Sequence, residues 1–426
     1  MADVRLSKLH RLNGETTVPG DKSISHRAAM FAAIGDGVST IKNYSSAIDC
    51  QTTLDCMRSL GADIRRSGQD IHVHGRGLRT LSEPDDVLNC GNSGTTMRLL
   101  CGLLAGQHFS TVLTGDASLR RRPMDRIIKP LVGNGAEIYG RQSNRLAPLF
   151  IRGKSLTDVI YELPVASSQV KSAVLLAGLY ADGNVQVTEP VASRDHTERM
   201  LAYCGVDIHR SGNVISLGKI RQLAAHDFQV PGDISSAAFL IALGLLVPGS
   251  HLRLKDVGIN PTRTGLLTML EKMGADLRID NERPVSNEPV GDIVVQNAKL
   301  RAVEIGGTLI PKLIDELPLV AVIATQAEGR TIVKDALELR IKESDRIAAI
   351  VGELKKMGAS IEESDDGFIV DGPTPLHAAV CKSYDDHRIA MALSVAAWIA
   401  DGESTIQDAD CVGISFPEFY DIAHNL

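Results

Sequence analysis

Val18-Pro-Gly-Asp-Lys-Ser-Ile-Ser-His-Arg27 sets a pattern that returns along the whole chain. Pro19-Gly20 punctuates the end of a strand, since proline cannot continue a ladder and glycine supplies the turn. Asp21 and Ser23 are helix-capping types, and the apolar run Ala28-Ala-Met-Phe-Ala-Ala-Ile34 behind them predicts a helix. Lys22, Ser23 and Arg27 then fall in the first turns of that helix, where the backbone carries partial positive charge. Ser23 and Arg27 are four apart and share a face. Two cations and a hydroxyl on such a terminus suit a phosphate or a carboxylate. By themselves they would read as solvated charges at a helix start, so the remainder of the chain decides.

Working outward, the head Asp21-Lys-Ser-Ile-Ser has counterparts at Asn92-Ser-Gly-Thr-Thr, Ala166-Ser-Ser-Gln-Val, Asp233-Ile-Ser-Ser-Ala, Asp315-Glu-Leu-Pro and Asp385-Asp-His-Arg. They recur roughly every seventy residues, long for a solenoid unit and typical of a small domain. Each head precedes an apolar run that closes on a glycine: Gly37, Gly106, Gly183, Gly249, Gly329 and Gly402. A strand-like segment follows, then a second helix closing at Gly61, Gly135, Gly205, Gly274 or Gly358. Alternating segments such as Asp70-Ile-His-Val-His complete the unit as helix, strand, helix, strand, strand.

Five units are complete, and the sixth stops at Pro417-Glu-Phe-Tyr-Asp-Ile without its last strands. Val4-Arg-Leu-Ser and Glu15-Thr-Thr-Val, near the other end, are the expected donors. That would tie both termini into one domain, 1–19 with 233–426, and leave 20–232 as an inserted domain. Val-Pro-Gly-Asp occurs at both proposed passages, Val18–Asp21 and Val230–Asp233. The expected fold is therefore α/β, two globules of three units each. The head helices are apolar on nearly every side, so three of them should be enclosed within each globule.

Composition narrows the function. A chain of 426 residues with 44% hydrophobic and 23% charged residues is an ordinary globular protein with ample core. A net charge of −7 argues against a nucleic-acid partner, which needs an extended basic face. The seven cysteines are scattered and never spaced C-x-x-C, so neither a zinc site nor a disulfide framework is indicated. No apolar leader follows Met1 and no stretch has membrane-spanning character, which makes a cytoplasmic protein the expectation. A Walker A loop is missing, and neither Gly75-x-Gly77 nor Gly133-x-Gly135 has the third glycine of a dinucleotide loop. No metal and no organic cofactor are expected.

The heads carry the chemistry. Lys22, Ser23 and Arg27 are joined by Gly94, Thr95 and Arg98, by Ser167, Ser168 and Gln169, and by His387 and Arg388. Loops add Arg120-Arg-Arg122, Ser193-Arg-Asp195 and Lys342-Glu-Ser-Asp-Arg346. If the heads of both globules face one cleft, they make it electropositive and suit a ligand with several anionic groups. Asp315 and Glu343 are the exceptions, and carboxylates within a basic site suit proton transfer. Lys342 and Arg346 are four apart, with Glu343 three from Arg346, so all three are expected along one helical edge.

Pro19–Arg27, Gly91-Asn-Ser-Gly-Thr-Thr-Met-Arg98, Arg122-Pro-Met124, Ser167-Ser-Gln169, Arg194-Asp-His-Thr197, Arg340-Ile-Lys-Glu-Ser-Asp-Arg346 and Asp386-His-Arg-Ile-Ala-Met391 together resemble the 3-phosphoshikimate 1-carboxyvinyltransferase (EPSP synthase) family, leaning to its second sequence class. The resemblance spans the chain. It implies a two-domain fold of six inside-out units with the active site in the interdomain cleft. It also implies a reaction: phosphoenolpyruvate and shikimate 3-phosphate give 5-enolpyruvylshikimate 3-phosphate and phosphate, on the way to chorismate and the aromatic amino acids.

By position, the resemblance assigns Lys22, Ser23, Arg27, Ser167, Ser168, Gln169, Arg194, Asp315 and Lys342 to shikimate 3-phosphate. It assigns Lys22, Gly94, Arg122, Gln169, Arg346 and Arg388 to phosphoenolpyruvate, a role in which an arginine's planar fork binds an anion bidentately. Asp315 becomes the base at the 5-hydroxyl, and Lys22 or Glu343 delivers the other proton. The inhibitor glyphosate would share the phosphoenolpyruvate site, and a monomer is expected. One position departs from the pattern: many members place a lysine just before the C-terminal Phe-Pro, where this chain has Ser415 before Phe416-Pro417.

Two rivals differ in class. The sister enzyme that transfers enolpyruvyl to UDP-N-acetylglucosamine has a cysteine five residues before its loop Arg-Pro, where Ala117 precedes Arg122-Pro123 here. A non-catalytic phosphosugar-binding protein would need the cations but neither Asp315 nor Glu343.

Overall fold

The computed structural model describes residues 2–219 and 221–426. Two strands, β1 (Val4–Ser7) and β2 (Asn13–Thr17), precede the first head helix. The chain forms two compact units. The terminal unit holds the segment ending at Pro19 together with Pro231–Arg283 and Pro289–Leu426, and the inserted unit holds Gly20–Val230 with Pro284–Glu288. Each has its own continuous apolar core.

The inserted unit contains three head helices, α1 (Lys22–Ile34), α3 (Gly94–Ala105) and α5 (Ser168–Gly178), each followed by a second helix: α2 (Ile48–Ser59), α4 (Asp125–Gly133) and α6 (His196–Tyr203). Every residue of α1 from Ile24 to Ile34 is buried, as its apolar stretch Ala28–Ile34 requires, and Ser25, His26 and Arg27 are enclosed with it. The head helices approach closely: a Cβ on Gly102 of α3 would sit 2.1 Å from the Ala173 carbonyl oxygen of α5, so only glycine fits. Around them lie four-stranded sheets. In the first, β3 (Asp36–Lys42) pairs antiparallel with β5 (Asp70–Arg76), Ser39 opposite Val73, and β5 pairs antiparallel with β4 (Asp63–Ser67). Ile71 and Val73 of β5 point inward while alternate residues face out.

The terminal unit repeats the scheme with head helices α7 (Ile234–Leu246), α9 (Leu317–Ala324) and α11 (His387–Ile399), followed by α8 (Gly265–Lys272), α10 (Arg346–Lys356) and α12 (Phe419–His424). Its third sheet has three strands, with β1 pairing antiparallel to Glu403–Gln407, Leu6 opposite Ser404. That is the contribution expected of Val4–Ser7.

Glu15–Val18 differs from expectation. Strand β2 does not complete the sixth sheet but runs parallel to His251–Gly258 in the fourth, Thr16 opposite Leu254. The reason is a strand that the repeat pattern missed. Each sheet begins with a short lead strand, parallel to the strand after the head helix. For α1 and α7 the lead strands are exchanged: β2, just before α1, serves the sheet that follows α7, while Phe228–Gln229, just before α7, pairs with β3.

The second helices end as their glycines predict. Gly61, Gly135, Gly205, Gly274 and Gly358 all adopt left-handed backbone, φ between +80° and +93°. At each, the glycine N–H and the next residue's N–H reach back to carbonyls of the last turn, as Gly61 to Arg58 and Ala62 to Met57. This is the Schellman closure, with an apolar residue after each glycine. The glycines behind the head helices behave differently. Only Gly106 caps its helix; α1 is capped by Gly35, and Gly37 already lies in β3.

Candidate active site

In the inserted unit the three heads meet. Asp21, Ser93 and Ser167 each cap their helix, accepting the N–H of Ile24, Thr96 and Val170 at 2.9, 3.1 and 3.5 Å. α3 and α5 have neutral serine caps and no acidic residue in the first turn, so their terminal N–H dipoles are not offset there, whereas α1 carries the Asp21 carboxylate at its cap. Lys22 reaches Asp49 at 3.0 Å. Arg27 is buried and held on all sides: Nε donates to Thr197 Oγ1 at 2.7 Å, Nη1 to the Ser23 carbonyl at 2.9 Å and Nη2 to Ser172 Oγ at 2.7 Å. Burial pushes its guanidinium down to about 10, which leaves it charged at neutral pH.

A second chain of contacts links α3 to α5. Arg98 Nη1 donates to Gln169 Oε1 at 2.6 Å, and Gln169 Nε2 donates to Thr95 Oγ1 at 3.1 Å. Arg122 holds its loop to the α3 head through Asn92, with Nη2 at 2.6 Å from Oδ1 and Nη1 at 3.2 Å from the carbonyl. Gly94 lies against both guanidiniums: a Cβ there would be 3.2 Å from Arg98 Nη1 and 3.4 Å from Arg122 Nη1. Beneath the heads, His26 Nδ1 contacts Thr53 Oγ1, which contacts Thr96 Oγ1, both at 2.6 Å. Burial, with Lys22 and Arg27 alongside, holds this imidazole well below the ordinary histidine value, so it is neutral. Ser23, Ser167, Ser168 and Arg194 are half-buried. Thus Lys22, Ser23, Arg27, Gly94, Arg122, Ser167, Ser168, Gln169 and Arg194 all belong to the inserted unit.

The other predicted residues gather in the terminal unit. Lys342 Nζ and Arg346 Nη1 lie 3.4 and 3.5 Å from Asp315 Oδ1, placing two cations on one carboxylate. Arg346 Nη2 bonds Glu343 at 2.7 Å, and its Nε and Nη2 grip Asp386 at 2.8 and 3.2 Å. Burial opposes the Arg346 charge, but Asp386, Glu343 and Asp315 outweigh it and raise the guanidinium above its usual value. Asp386 also caps α11, accepting the Arg388 N–H at 2.9 Å. Arg388 is buried, donating through Nη1 to the Ser235 carbonyl at 3.1 Å.

The expected helical edge is not how these residues meet. Asp345 caps α10 by accepting the Ala348 N–H at 3.1 Å, so the helix starts at Arg346. Lys342 and Glu343 lie ahead of it, on an irregular segment after the 3₁₀ turn Leu337–Ile341. Their convergence comes from the loop's path, not from i,i+4 spacing.

One set of contacts in the terminal unit escaped sequence reading. Ser235 is a node in the terminal unit: it donates to Glu316, accepts from Arg263 Nη2 at 2.6 Å and offers its carbonyl to Arg388. Glu316 stands beside Asp315 in one head the sequence singles out and Ser235 in another, Asp233-Ile-Ser-Ser-Ala, but their meeting with each other and with Arg263 was not foreseen. Ser415 is buried at the end of the turn Ala409–Ile414. Among the described residues no three His, Cys, Asp or Glu side chains group as a metal site, and no helix is long and apolar enough to cross a membrane.

Comparison with known proteins places this geometry. The family model for EPSP synthase (3-phosphoshikimate 1-carboxyvinyltransferase) matches residues 6–422. The 3-phosphoshikimate 1-carboxyvinyltransferase of Thermodesulfovibrio yellowstonii is 52% identical over 424 residues, 99% of either chain. The EPSP synthase structure from Acinetobacter baumannii superposes with a TM-score of 0.90 at 42% identity, covering 99% of this chain and 98% of that one. The enolpyruvyl transferase NikO from Streptomyces tendae, at 18% identity and a TM-score of 0.79 over 99% and 96% of the two chains, shares the fold. With six helix-sheet repeats, a family model that matches residues 6–422 and relatives covered over 98–99% of their length, the chain belongs to the EPSP synthase (3-phosphoshikimate 1-carboxyvinyltransferase) family.

Proposed function

We propose that the chain transfers the enolpyruvyl group of phosphoenolpyruvate to the 5-hydroxyl of shikimate 3-phosphate, releasing phosphate. The observation that carries this reading is the Asp315 carboxylate beside Lys342 and Arg346, with Glu343 on the same arginine. A binding protein for anions has no use for two carboxylates among its cations. A proton-transfer enzyme needs them.

The roles follow from the chemistry. Asp315 takes the proton of the 5-hydroxyl as its oxygen attacks C2 of phosphoenolpyruvate, while Lys22 or Glu343 delivers a proton to C3. The tetrahedral intermediate then loses a proton from its C3 methyl group, back to the group that delivered one there, as the C2–O bond to phosphate breaks, which restores the carbon–carbon double bond. Arg122, Arg346 and Arg388 hold the phosphate and carboxylate of phosphoenolpyruvate, with Gly94 leaving room at the α3 head. Lys22, Ser23, Arg27, Ser167, Ser168, Gln169 and Arg194 hold shikimate 3-phosphate. These partners and proton carriers are all side chains of this protein. Because they are divided between the two units, the bound substrates would span both, in a cleft with domains 1–19 plus 233–426 on one side and 20–232 on the other.

The test is a phosphate-release assay. Phosphate should appear only when shikimate 3-phosphate and phosphoenolpyruvate are both supplied. Release with UDP-N-acetylglucosamine in place of shikimate 3-phosphate would assign the sister reaction instead; Ala117, where that enzyme has a cysteine, speaks against it.

A further inference from the structure

Lys171 is a fully buried lysine one turn into α5, and none of the roles above uses it. Its ammonium lies 3.2 Å from Glu189 Oε2 and 2.7 Å from Glu198 Oε1, and donates to the Ser193 carbonyl at 3.3 Å. Glu189, equally buried, accepts the Ser193 N–H at 3.0 Å and the Ser193 hydroxyl at 2.6 Å. Arg210 completes the cluster, its Nη2 2.9 Å from Glu189 Oε1, giving two cations and two carboxylates. Burying such charges costs solvation that an apolar side chain of similar size would not incur, so their presence calls for a geometric reason.

That reason is legible in what the cluster touches. Ser193 immediately precedes Arg194. Lys171 stands in the same helix as Ser168 and Gln169, one residue before Ser172, which accepts from Arg27. Glu198 follows Thr197, the other hydroxyl that accepts from Arg27, and Ser172 and Thr197 contact each other at 2.6 Å. Loop 189–195, the α5 head and α6 thus converge on one ammonium.

We propose that Lys171 and Glu189 are positioning residues for the shikimate 3-phosphate end of the site. They fix Arg194 through the Ser193 backbone and set the α5 and α6 heads against Arg27. The inference rests on the reading that Arg194 and the α5 head bind shikimate 3-phosphate. A buried ion cluster preorganises the loop before the ligand arrives, so losing it weakens one substrate selectively.

The experiment measures the Kd of shikimate 3-phosphate by calorimetry and the KM of phosphoenolpyruvate at saturating shikimate 3-phosphate. The variants are Lys171→Met, Ser193→Ala and Arg194→Ala. Lys171→Met should weaken shikimate 3-phosphate at least about tenfold and Ser193→Ala roughly threefold, with the phosphoenolpyruvate KM unchanged within about twofold. Ser193→Ala leaves the buried ion pairs in place, so it decides the matter if Lys171→Met does not fold. An unchanged shikimate 3-phosphate Kd in Ser193→Ala and in any folded Lys171→Met, while Arg194→Ala loses affinity, overturns the proposal. So does an equal loss for both substrates, which would mark general support of the fold. An unchanged Kd in Arg194→Ala removes the underlying reading, and this inference with it.

Discussion

Three residues make the reading of the site testable one at a time. Asp315→Asn keeps the shape of the base and its neighbours but cannot accept the proton, so kcat should fall about 10²- to 10⁴-fold while shikimate 3-phosphate still binds. A near-normal kcat removes Asp315 from the mechanism. Gly94→Ala would press a methyl group onto Arg98 and Arg122, at 3.2 and 3.4 Å. Overpacking of this order costs about 1–3 kcal/mol, roughly ten- to a hundredfold in affinity. Glyphosate, longer than phosphoenolpyruvate, should lose more than the substrate does, so the ratio of its inhibition constant to the phosphoenolpyruvate KM should rise; a constant ratio refutes the shared site. His26 gives a pH signature. Burial lowers its folded-state pKa, so below about 6.5 the unfolded chain takes up a proton that the folded chain refuses. Stability should therefore fall as pH drops through that window, and His26→Gln should flatten the fall, as read by urea unfolding at pH 7 and 5.5. The capping residues and arginines of the heads were legible because their types declare themselves locally. The Ser235–Glu316–Arg263 node was not, since its members lie up to 81 residues apart and meet only after folding.

Among elements, the second helices were the most legible, because a Schellman glycine has a mechanism visible in sequence. Their strain should separate by surroundings. Gly274, at φ +80° with nothing within 4 Å of a Cβ, should lose about 1–2 kcal/mol as alanine, through backbone strain alone. Gly61 has nearly the same φ, but its Cβ would stand 2.5 Å from Ser82 Oγ, so Gly61→Ala should cost more. Equal losses in denaturant unfolding would mean that strain outweighs crowding at both. The lead strands were the least legible. Leu88–Asn89, Phe228–Gln229 and Glu304–Ile305 are two residues each, too short for any alternation to register. Lys342 and Glu343 failed for the opposite reason: i,i+4 spacing fits a helix that the Asp345 cap delays by four residues.

For the whole molecule, the proposed chemistry requires Lys22 and Arg27 of one unit to act with Asp315 and Glu343 of the other. Anionic substrates should draw the two sets of helix heads together and expel water. The radius of gyration by small-angle scattering should then shrink when shikimate 3-phosphate is added, and an unchanged value would count against closure. The globule plan of three units apiece was legible because the head recurs; the exchange of lead strands was not, because no local residue preference says which sheet a strand joins. That exchange has a consequence during synthesis. Strand β2 leaves the ribosome roughly 240 residues ahead of its partner His251–Gly258, a delay on the order of 10–50 s at about 5–20 residues per second. By the end of that time the stretch Gly20–Val230 of the inserted unit has been made, its own lead strand Phe228–Gln229 included. The waiting strand, Asn13-Gly-Glu-Thr-Thr17, has no apolar side chain and carries a charge and a glycine. A segment so poor in stickiness can stay unpaired in a crowded cell without recruiting a neighbour's edge.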